Sequence, residues 1–367
     1  MYVDLPTAAE IRSLVEVAAG NCVSIYMPTT PHTADAEAER ITFKNLASQA
    51  IGELNATGAD KRDVAAFTEA FDDLDGDPAF WRYQANSLAL FATPGGVRSF
   101  HLANRLEPAV VVGDRFFVKP LLRAVSFPNA GFVLALAQGS VRLIEFGGDY
   151  GPFRVDVADL PKDLDSFLET APGAGGSAGF GLLSPEGRTS RLRKYARQVD
   201  RAVRSALRGH ELPVVLAATE PLASVFRSVS TLGTLAGASI TGNPENVADH
   251  DLVGNARTIL DDVHRAEVAR LSALFSERTG QDRAATDLAD IAKAATFGAV
   301  EVLIVDIDQV VPGTVGDDGS VVYADGTGRG IVDEIARRAL LTGGRVVAVR
   351  ADEVPGAGAA AAILRYA

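Results

Sequence analysis

The residues with the clearest capacity for chemistry are basic side chains near the middle of the chain. Between residues 186 and 208 the sequence has eight basic residues and two acidic ones, Glu186 and Asp200, although the formal net charge of the whole protein is −12. Seven of the eight are arginine, whose planar guanidinium can bind a phosphate through two hydrogen bonds. This set is made up of Arg188, Arg191, Arg193, Lys194, Arg197, Arg201, Arg204 and Arg208.

The spacing of these residues predicts one helix with a basic face and an apolar face. Positions 194, 197, 201, 204 and 208 are three or four residues apart, so they align along one side of a helix. The residues expected to pack inward are Leu192, Tyr195, Val199, Val203 and Leu207. Many charge runs are simply solvated, but charges of one sign repel each other unless a partner neutralises them. The pattern therefore favours contact with a phosphate backbone.

A glycine-rich segment begins at residue 171 and directly precedes this helix. Loops of this length inside a domain are usually functional or disordered, and glycine lets a backbone approach another surface closely. We expect residues 173–187 to be poorly ordered in the free protein, and an ordinary linker is the alternative. Its candidate contact residues are Gly173, Gly175, Gly176, Ser177 and Gly179.

The rest of the sequence offers no reaction that can be derived from residue types and spacing. The glycine-rich residues 326–330 lack the lysine of a P-loop, and Asp317, Asp318 and Asp325 lack EF-hand spacing. The five histidines are scattered, and no serine lies in a nucleophile elbow. We therefore expect no cofactor, no metal and no catalytic residue.

Composition indicates a globular chain of several domains. It has 367 residues, of which 47% are hydrophobic and 22% charged. Cys22 is its single cysteine, which fits a reducing cytoplasm. The start of the chain is unlike a signal peptide, and no apolar run is long enough to cross a bilayer. An acidic protein repels nucleic acid except at a local basic patch, so we expect no membrane or DNA partner.

Alternating strand and helix patterns predict a mixture of α/β and α+β architecture in three domains. The predicted domains are an N-terminal α+β domain (1–127), a central domain (128–250) and a C-terminal α/β sandwich (251–367). In the first, residues 35–54 form a predicted helix, and residues 117–125 read as a strand. The helix has an apolar stripe of Ile41, Leu46, Ile51 and Leu54. In the third, residues 300–306 (VEVLIVD) form a predicted buried strand.

Five segments, in this order, carry a resemblance to a known family: FRVDVADLP, SRLRKYARQVDRAV, PVVLAATEPLASVF, ATFGAVEVLIVD and GAGAAAAILRYA. They resemble the archaeo-eukaryotic peptide-chain release factor and Pelota family, and most closely its bacterial members, over the last two thirds of the chain. The resemblance implies a three-domain protein of transfer-RNA shape that binds the ribosome. It also implies a ribonuclease-H-like central domain and a C-terminal domain similar to kink-turn-binding ribosomal proteins.

The sequence departs from the release factors at one point. Their Gly-Gly-Gln loop helps to hydrolyse peptidyl-tRNA, whereas here Ser177 follows Gly175 and Gly176. We therefore expect a non-catalytic factor that acts in ribosome rescue, quality control or hibernation. Its loop would probe a narrow ribosomal site, its basic helix would bind ribosomal RNA, and a translational GTPase is a candidate further partner. The alternatives are a peptidyl-tRNA hydrolase or RNA nuclease of the same fold, and a protein-interaction module that has left the ribosome.

Overall fold

The computed structural model describes residues 3–18, 20–30, 36–126, 130–147, 152–170, 185–208, 212–306, 309–324 and 330–366. The chain forms two compact units. The split unit contains residues 1–128 and 265–367, and the central unit contains residues 129–264. Several sheets with helices packed on them confirm the predicted mixture of α and β structure. The division into three domains with boundaries at 127 and 250 stays a prediction.

The N-terminal part of the split unit is built on a four-stranded antiparallel sheet in the order β3-β2-β1-β4. Its strands are β1 Cys22–Pro28, β2 Ser87–Thr93, β3 Gly96–Leu102 and β4 Ala109–Gly113. Strands β1 and β2 are buried along most of their length. The helices are α1 Ala8–Glu16, α2 Ala36–Ala56, α3 Lys61–Asp75, α4 Pro78–Arg82 and α5 Lys119–Ser126. Three of these helices begin at a side-chain cap, from Thr7, Asp60 and Asp77 respectively.

The buried stripe of α2 differs from the predicted one. Ile41 is 57% exposed, so its assignment to the stripe was wrong. The buried positions are Phe43, Ala47, Ala50 and Leu54, which also step by three or four residues. Phe43 packs against Phe71 of α3 and Trp81 of α4, with ring centroids 6.0 and 5.4 Å apart. These aromatic partners decide which face of α2 turns inward.

The predicted strand at residues 117–125 is instead the loop into α5 and most of that helix. Proline is tolerated in the first turn of a helix, where an N–H has no intrahelical acceptor, and Pro120 is the second residue of α5. The apolar residues Val118, Leu121 and Leu122 have helical spacing, and all three are buried. The strand prediction counted their hydrophobicity and overlooked their period.

The central unit contains a five-stranded mixed sheet in the order β7-β6-β5-β8-β9. Its strands are β5 Ala130–Leu136, β6 Val141–Gly147, β7 Phe153–Val155, β8 Val214–Ala218 and β9 Leu235–Thr241. Strands β5 and β6 form an antiparallel hairpin, while β8 runs parallel to β5 and to β9. The helices are α6 Leu164–Thr170, α7 Pro185–Ala206, α8 Leu222–Val229 and residues 249–264 of α9 Asp249–Thr279, whose later residues belong to the split unit. Leu252, Val253 and Ala256 of α9 pack on one face of this sheet.

The C-terminal part of the split unit has a second four-stranded sheet in the order β10-β15-β11-β14. Its strands are β10 Ala284–Ala285, β11 Val300–Asp306, β14 Arg345–Val349 and β15 Ala360–Leu364. A small hairpin pairs β12 Gly313–Val315 with β13 Val321–Tyr323, and the helices are α10 Leu288–Thr296 and α11 Ile331–Leu341. Strand β11 is internal and buried, as predicted for VEVLIVD.

An ion-pair cluster joins the two sequence segments of the split unit. Arg115, from the loop after β4, approaches Glu334 of α11 at 2.7 Å. Arg337 and Arg338 bind the same carboxylate at 2.8 and 2.7 Å. Burial acts to raise the pKa of Glu334, but hydrogen bonds from Arg337 and Arg338 outweigh it and hold the pKa at about 2. The same two segments also share an apolar core.

We predict that Glu334→Gln destabilises the protein, because it leaves three guanidiniums without their shared anion. The expected loss is about 2 kcal/mol of unfolding free energy at neutral pH, measured by urea denaturation. The pKa of Glu334 lies below the ordinary 4.5. The contribution is therefore complete above about pH 4.5 and disappears as pH falls towards 2.

The matched control is Glu16→Gln, which removes an exposed carboxylate paired with Arg12 one helical turn away. This change should cost less than about 0.5 kcal/mol. Equal effects of the two substitutions would show that the Glu334 cluster contributes no more than a surface pair.

Candidate nucleic-acid interface

Helix α7 carries seven of the eight predicted basic residues, Arg208 lies in the turn directly after it, and the predicted apolar face is buried. Leu192, Tyr195, Val199, Val203 and Leu207 are each at most 8% exposed. Three of these residues, Tyr195, Val199 and Val203, are completely buried. The apolar stripe therefore fixes the rotation of the helix about its axis, and that rotation decides which side chains face outward.

The opposite face of α7 is positively charged and exposed. Arg188 and Arg191 are half-buried, and the other six basic residues are exposed: Arg193, Lys194, Arg197, Arg201, Arg204 and Arg208. Among the residues that the structure describes, none of the eight forms an ion pair with an acidic side chain. The structure thus brings the predicted basic residues together on α7 and the turn directly after it, and no acidic side chain among the described residues pairs with them.

The acidic residue Asp200 does not belong to this exposed face. Its side chain is buried, and the residue is 4% exposed. Its carboxylate accepts hydrogen bonds from Ser230 Oγ at 2.8 Å and from the backbone N–H and hydroxyl of Thr231, both at 3.1 Å. It therefore fixes the loop after α8 and leaves the exposed charge of α7 unbalanced.

Sequence reasoning missed this role of Asp200, although a signal was present. Residue 200 is four positions after Ala196 and three before Val203, and both of these residues are buried. Its spacing therefore placed it on the inward face from the start. The sequence count of two acids against eight bases understated the positive charge of the outward face.

Tyr195 ties α7 to the central sheet. Its side chain is completely buried, and its hydroxyl donates to the backbone carbonyl of Ala137 at 2.9 Å. Burial is the main cause that raises the pKa of Tyr195, so the phenol stays protonated and keeps its role as donor. Phe167 of α6 lies beside the ring, with a centroid separation of 5.9 Å. The helix is thus anchored to the turn between β5 and β6.

Two open depressions lie along the basic helix. The first, with a volume of about 480 Å³, is lined by Glu186, Thr189, Ser190, Arg193, Lys194 and Arg197. The second, of about 460 Å³, lies at the C-terminal end of α7 and also involves the loop after α8. Both combine guanidinium or ammonium groups with hydroxyl groups, which is a donor set suited to phosphate oxygens.

The predicted glycine loop cannot be compared with the structure. Gly173, Gly175, Gly176, Ser177 and Gly179 lie outside the described residues. Their proposed contact with a narrow ribosomal site therefore stays a prediction.

Ser24, Asp318 and Gly330 each have structural partners. Ser24 is buried, and its Oγ accepts the backbone N–H of Phe117 at 2.9 Å. Asp318 accepts the N–H of Ser320 in the turn between β12 and β13. Gly330 is the residue before α11, and its N–H donates to Asp333. Within the described ranges, no group of three or more His, Cys, Asp or Glu is placed to hold a metal ion.

Among the described residues, no helix is both long enough and apolar enough to span a membrane.

Comparison with known families places the basic helix inside a recognised segment. Residues 128–266 match the family model described as bacterial archaeo-eukaryotic release factor family 11. The match coincides closely with the central unit, residues 129–264, and contains the whole of α7. The resemblance to release factors is confirmed over this segment.

Three solved structures of archaeal and yeast proteins are also similar to this chain. An archaeal translation termination factor, aRF1, is 14% identical, with 98% of this chain and 97% of that chain covered and a TM-score of 0.26. Dom34 from S. cerevisiae is 13% identical, with 76% and 79% covered and a TM-score of 0.44. Archaeal Pelota, in a ribosome-bound model with ABCE1, is 14% identical, with 99% and 95% covered and a TM-score of 0.43. No curated protein matches the chain.

We predict that Tyr195→Phe destabilises the protein by about 1 kcal/mol, because it removes one buried hydrogen bond and keeps the ring in place. Chemical denaturation would measure the change. The control is Tyr83→Phe, since Tyr83 is 60% exposed and its hydroxyl loses little when removed. If the two variants unfold at the same denaturant concentration, the Tyr195 bond does not help to hold α7.

Proposed function

We propose that the protein is a ribosome-associated factor that binds ribosomal RNA through the exposed basic face of α7 and does not hydrolyse peptidyl-tRNA. The observation that supports this most is the exposed set of one lysine and five arginines on α7 and the turn directly after it. In the described structure these residues have no acidic partner, in a chain whose net charge is −12. Like charges at helical spacing repel each other, and a polyanion relieves that repulsion.

The choice of RNA rests on charge and on family. The helix lies inside the segment that matches a bacterial release factor family, and such a factor would meet ribosomal RNA as its main polyanion. Arginine can bind successive phosphates through two hydrogen bonds each. The acidic remainder of the chain would repel RNA outside the intended site, so that binding depends on correct placement of α7.

The finer role belongs to the same proposal. With Ser177 in place of the glutamine of release factors, the protein would occupy the ribosome in rescue, quality control or hibernation and leave the peptidyl-tRNA ester intact. A translational GTPase would be a further partner if delivery to the ribosome requires one. The cytoplasm, where ribosomes work, would be its location.

We predict that replacing Arg197, Arg201 and Arg204 together with glutamine weakens ribosome binding at least tenfold, or about 1.4 kcal/mol. Each lost phosphate contact also lowers the steepness of the salt dependence, by about 0.7–0.9 in the plot of log K against log salt. Glutamine is a good helix former, so the melting temperature should stay the same or rise slightly. Co-sedimentation with ribosomes at several salt concentrations would measure both effects.

The matched control replaces Lys61, Arg62 and Arg82 with glutamine. These three basic residues are exposed on α3 and α4 of the split unit, and the change in net charge is the same. We expect the control to bind ribosomes within twofold of the parent protein, with an unchanged salt slope. Equal loss in both triple variants would assign the binding to overall charge, and no loss in either would remove α7 from the interface.

A further inference from the structure

The second depression on α7 has the features of a specific anion site. We call it the C-terminal depression; its volume is about 460 Å³, and its lining residues are Arg201, Arg204, Ser205, Leu207 and Arg208 from α7 and the loop after it, with residues 231–234 opposite. Three guanidiniums line the depression, and none of its described lining residues carries a carboxylate. The charge of this described lining is therefore positive.

The opposite wall supplies a different kind of donor. Residues 231–234 form the loop between α8 and β9, and Gly233 is exposed. A side chain at Gly233 would meet nothing within 4 Å, so an anion can come close to the backbone there. In the described structure, the N–H groups of Gly233 and Thr234 donate to no protein acceptor. The wall thus adds amide and hydroxyl donors to the guanidiniums of the helix.

Asp200 holds this wall in place from behind. Its buried carboxylate accepts from Ser230 and twice from Thr231, at 2.8–3.1 Å. Leu232 N–H then donates to Ser230 Oγ at 3.3 Å. An acidic residue therefore positions the loop that forms one wall of a positively charged depression. If net charge alone determined anion binding, a carboxylate at this position would weaken it.

We infer that the C-terminal depression binds a phosphate group, with Arg201, Arg204 and Arg208 neutralising it and residues 231–234 orienting it. Three guanidiniums match the oxygens and the charge of a phosphate better than those of a single carboxylate. The phosphate can come from the RNA backbone or from free phosphate. The RNA source rests on the proposed function, whereas phosphate recognition does not.

Two measurements on the full-length protein test this inference. Isothermal titration calorimetry at low ionic strength measures binding of inorganic phosphate, with chloride as the reference anion. Fluorescence anisotropy measures binding of a single-stranded RNA decamer, with and without inorganic phosphate as competitor. If phosphate displaces the RNA, the site takes a backbone phosphate. If phosphate binds and leaves RNA affinity unchanged, the site takes free phosphate.

Variants separate a built site from a region of positive charge. We expect Arg204→Gln to weaken phosphate binding at least fivefold. Lys162→Gln removes an exposed positive charge elsewhere in the central unit and should change it less than twofold. Asp200→Asn makes the region more positive but loosens the loop, so we expect phosphate binding to weaken at least threefold.

The Asp200 variant gives the sharpest decision, because a purely electrostatic attraction predicts tighter binding. Tighter binding in Asp200→Asn, or equal loss in the Arg204 and Lys162 variants, would overturn the inference. Should Asp200→Asn fail to fold, Thr231→Val removes one bond to Asp200 at constant charge and should weaken phosphate binding at least twofold. Ribosome binding is measured separately. If a variant loses phosphate binding but still binds ribosomes normally, the depression does not bind the phosphate of RNA. That outcome would overturn the RNA source in this inference and leave the proposed function standing.

Discussion

The arrangement of the central unit depends on the burial of one face of α7. Burial of its five apolar residues is worth on the order of 10 kcal/mol, whereas repulsion between neighbouring like charges costs about 0.2–0.5 kcal/mol per pair. Burial therefore wins, and the helix keeps its rotation even with a row of basic side chains turned outward. The hydrogen bond from Tyr195 to Ala137 adds a fixed point at the sheet. The charged face is consequently preformed, and its geometry does not depend on binding a partner.

A preformed positive face in an acidic chain has a functional consequence. Long-range attraction to RNA is weak for a protein of net charge −12, since the field of the whole molecule opposes it. At close contact the net interaction with RNA becomes attractive. Salt screens charges more than about 8 Å away under physiological conditions, so the nearby basic residues of α7 dominate. Under the proposed function, such a protein would bind RNA where α7 can approach the phosphates directly and would be repelled elsewhere. The carboxylate of Asp200 is buried against the loop after α8, so it positions that loop and leaves the exposed face of α7 positive.

Much of this organisation could be predicted from sequence, and the failures have physical causes. The α7 stripe and β11 were predictable because strong periodicity or a continuous apolar run matched the final burial. The exposure of Ile41 was not predictable, because the aromatic partners of Phe43 are Phe71 and Trp81, which lie more than twenty residues later in the chain. Residues 117–125 were assigned to a strand because Pro120 was not read as a helix start. The acceptor role of Asp200 needed the loop after α8, thirty residues away.

The central claim is that the outward face of α7 lies against RNA phosphates in the working complex. The most direct measurement is a cryo-electron microscopy structure of the full-length protein bound to the ribosome, refined well enough to place arginine side chains. The account predicts that the guanidiniums along α7 lie within about 3 Å of ribosomal RNA phosphate oxygens. A complex in which the protein is bound through other surfaces, with this face of α7 open to solvent, would contradict it.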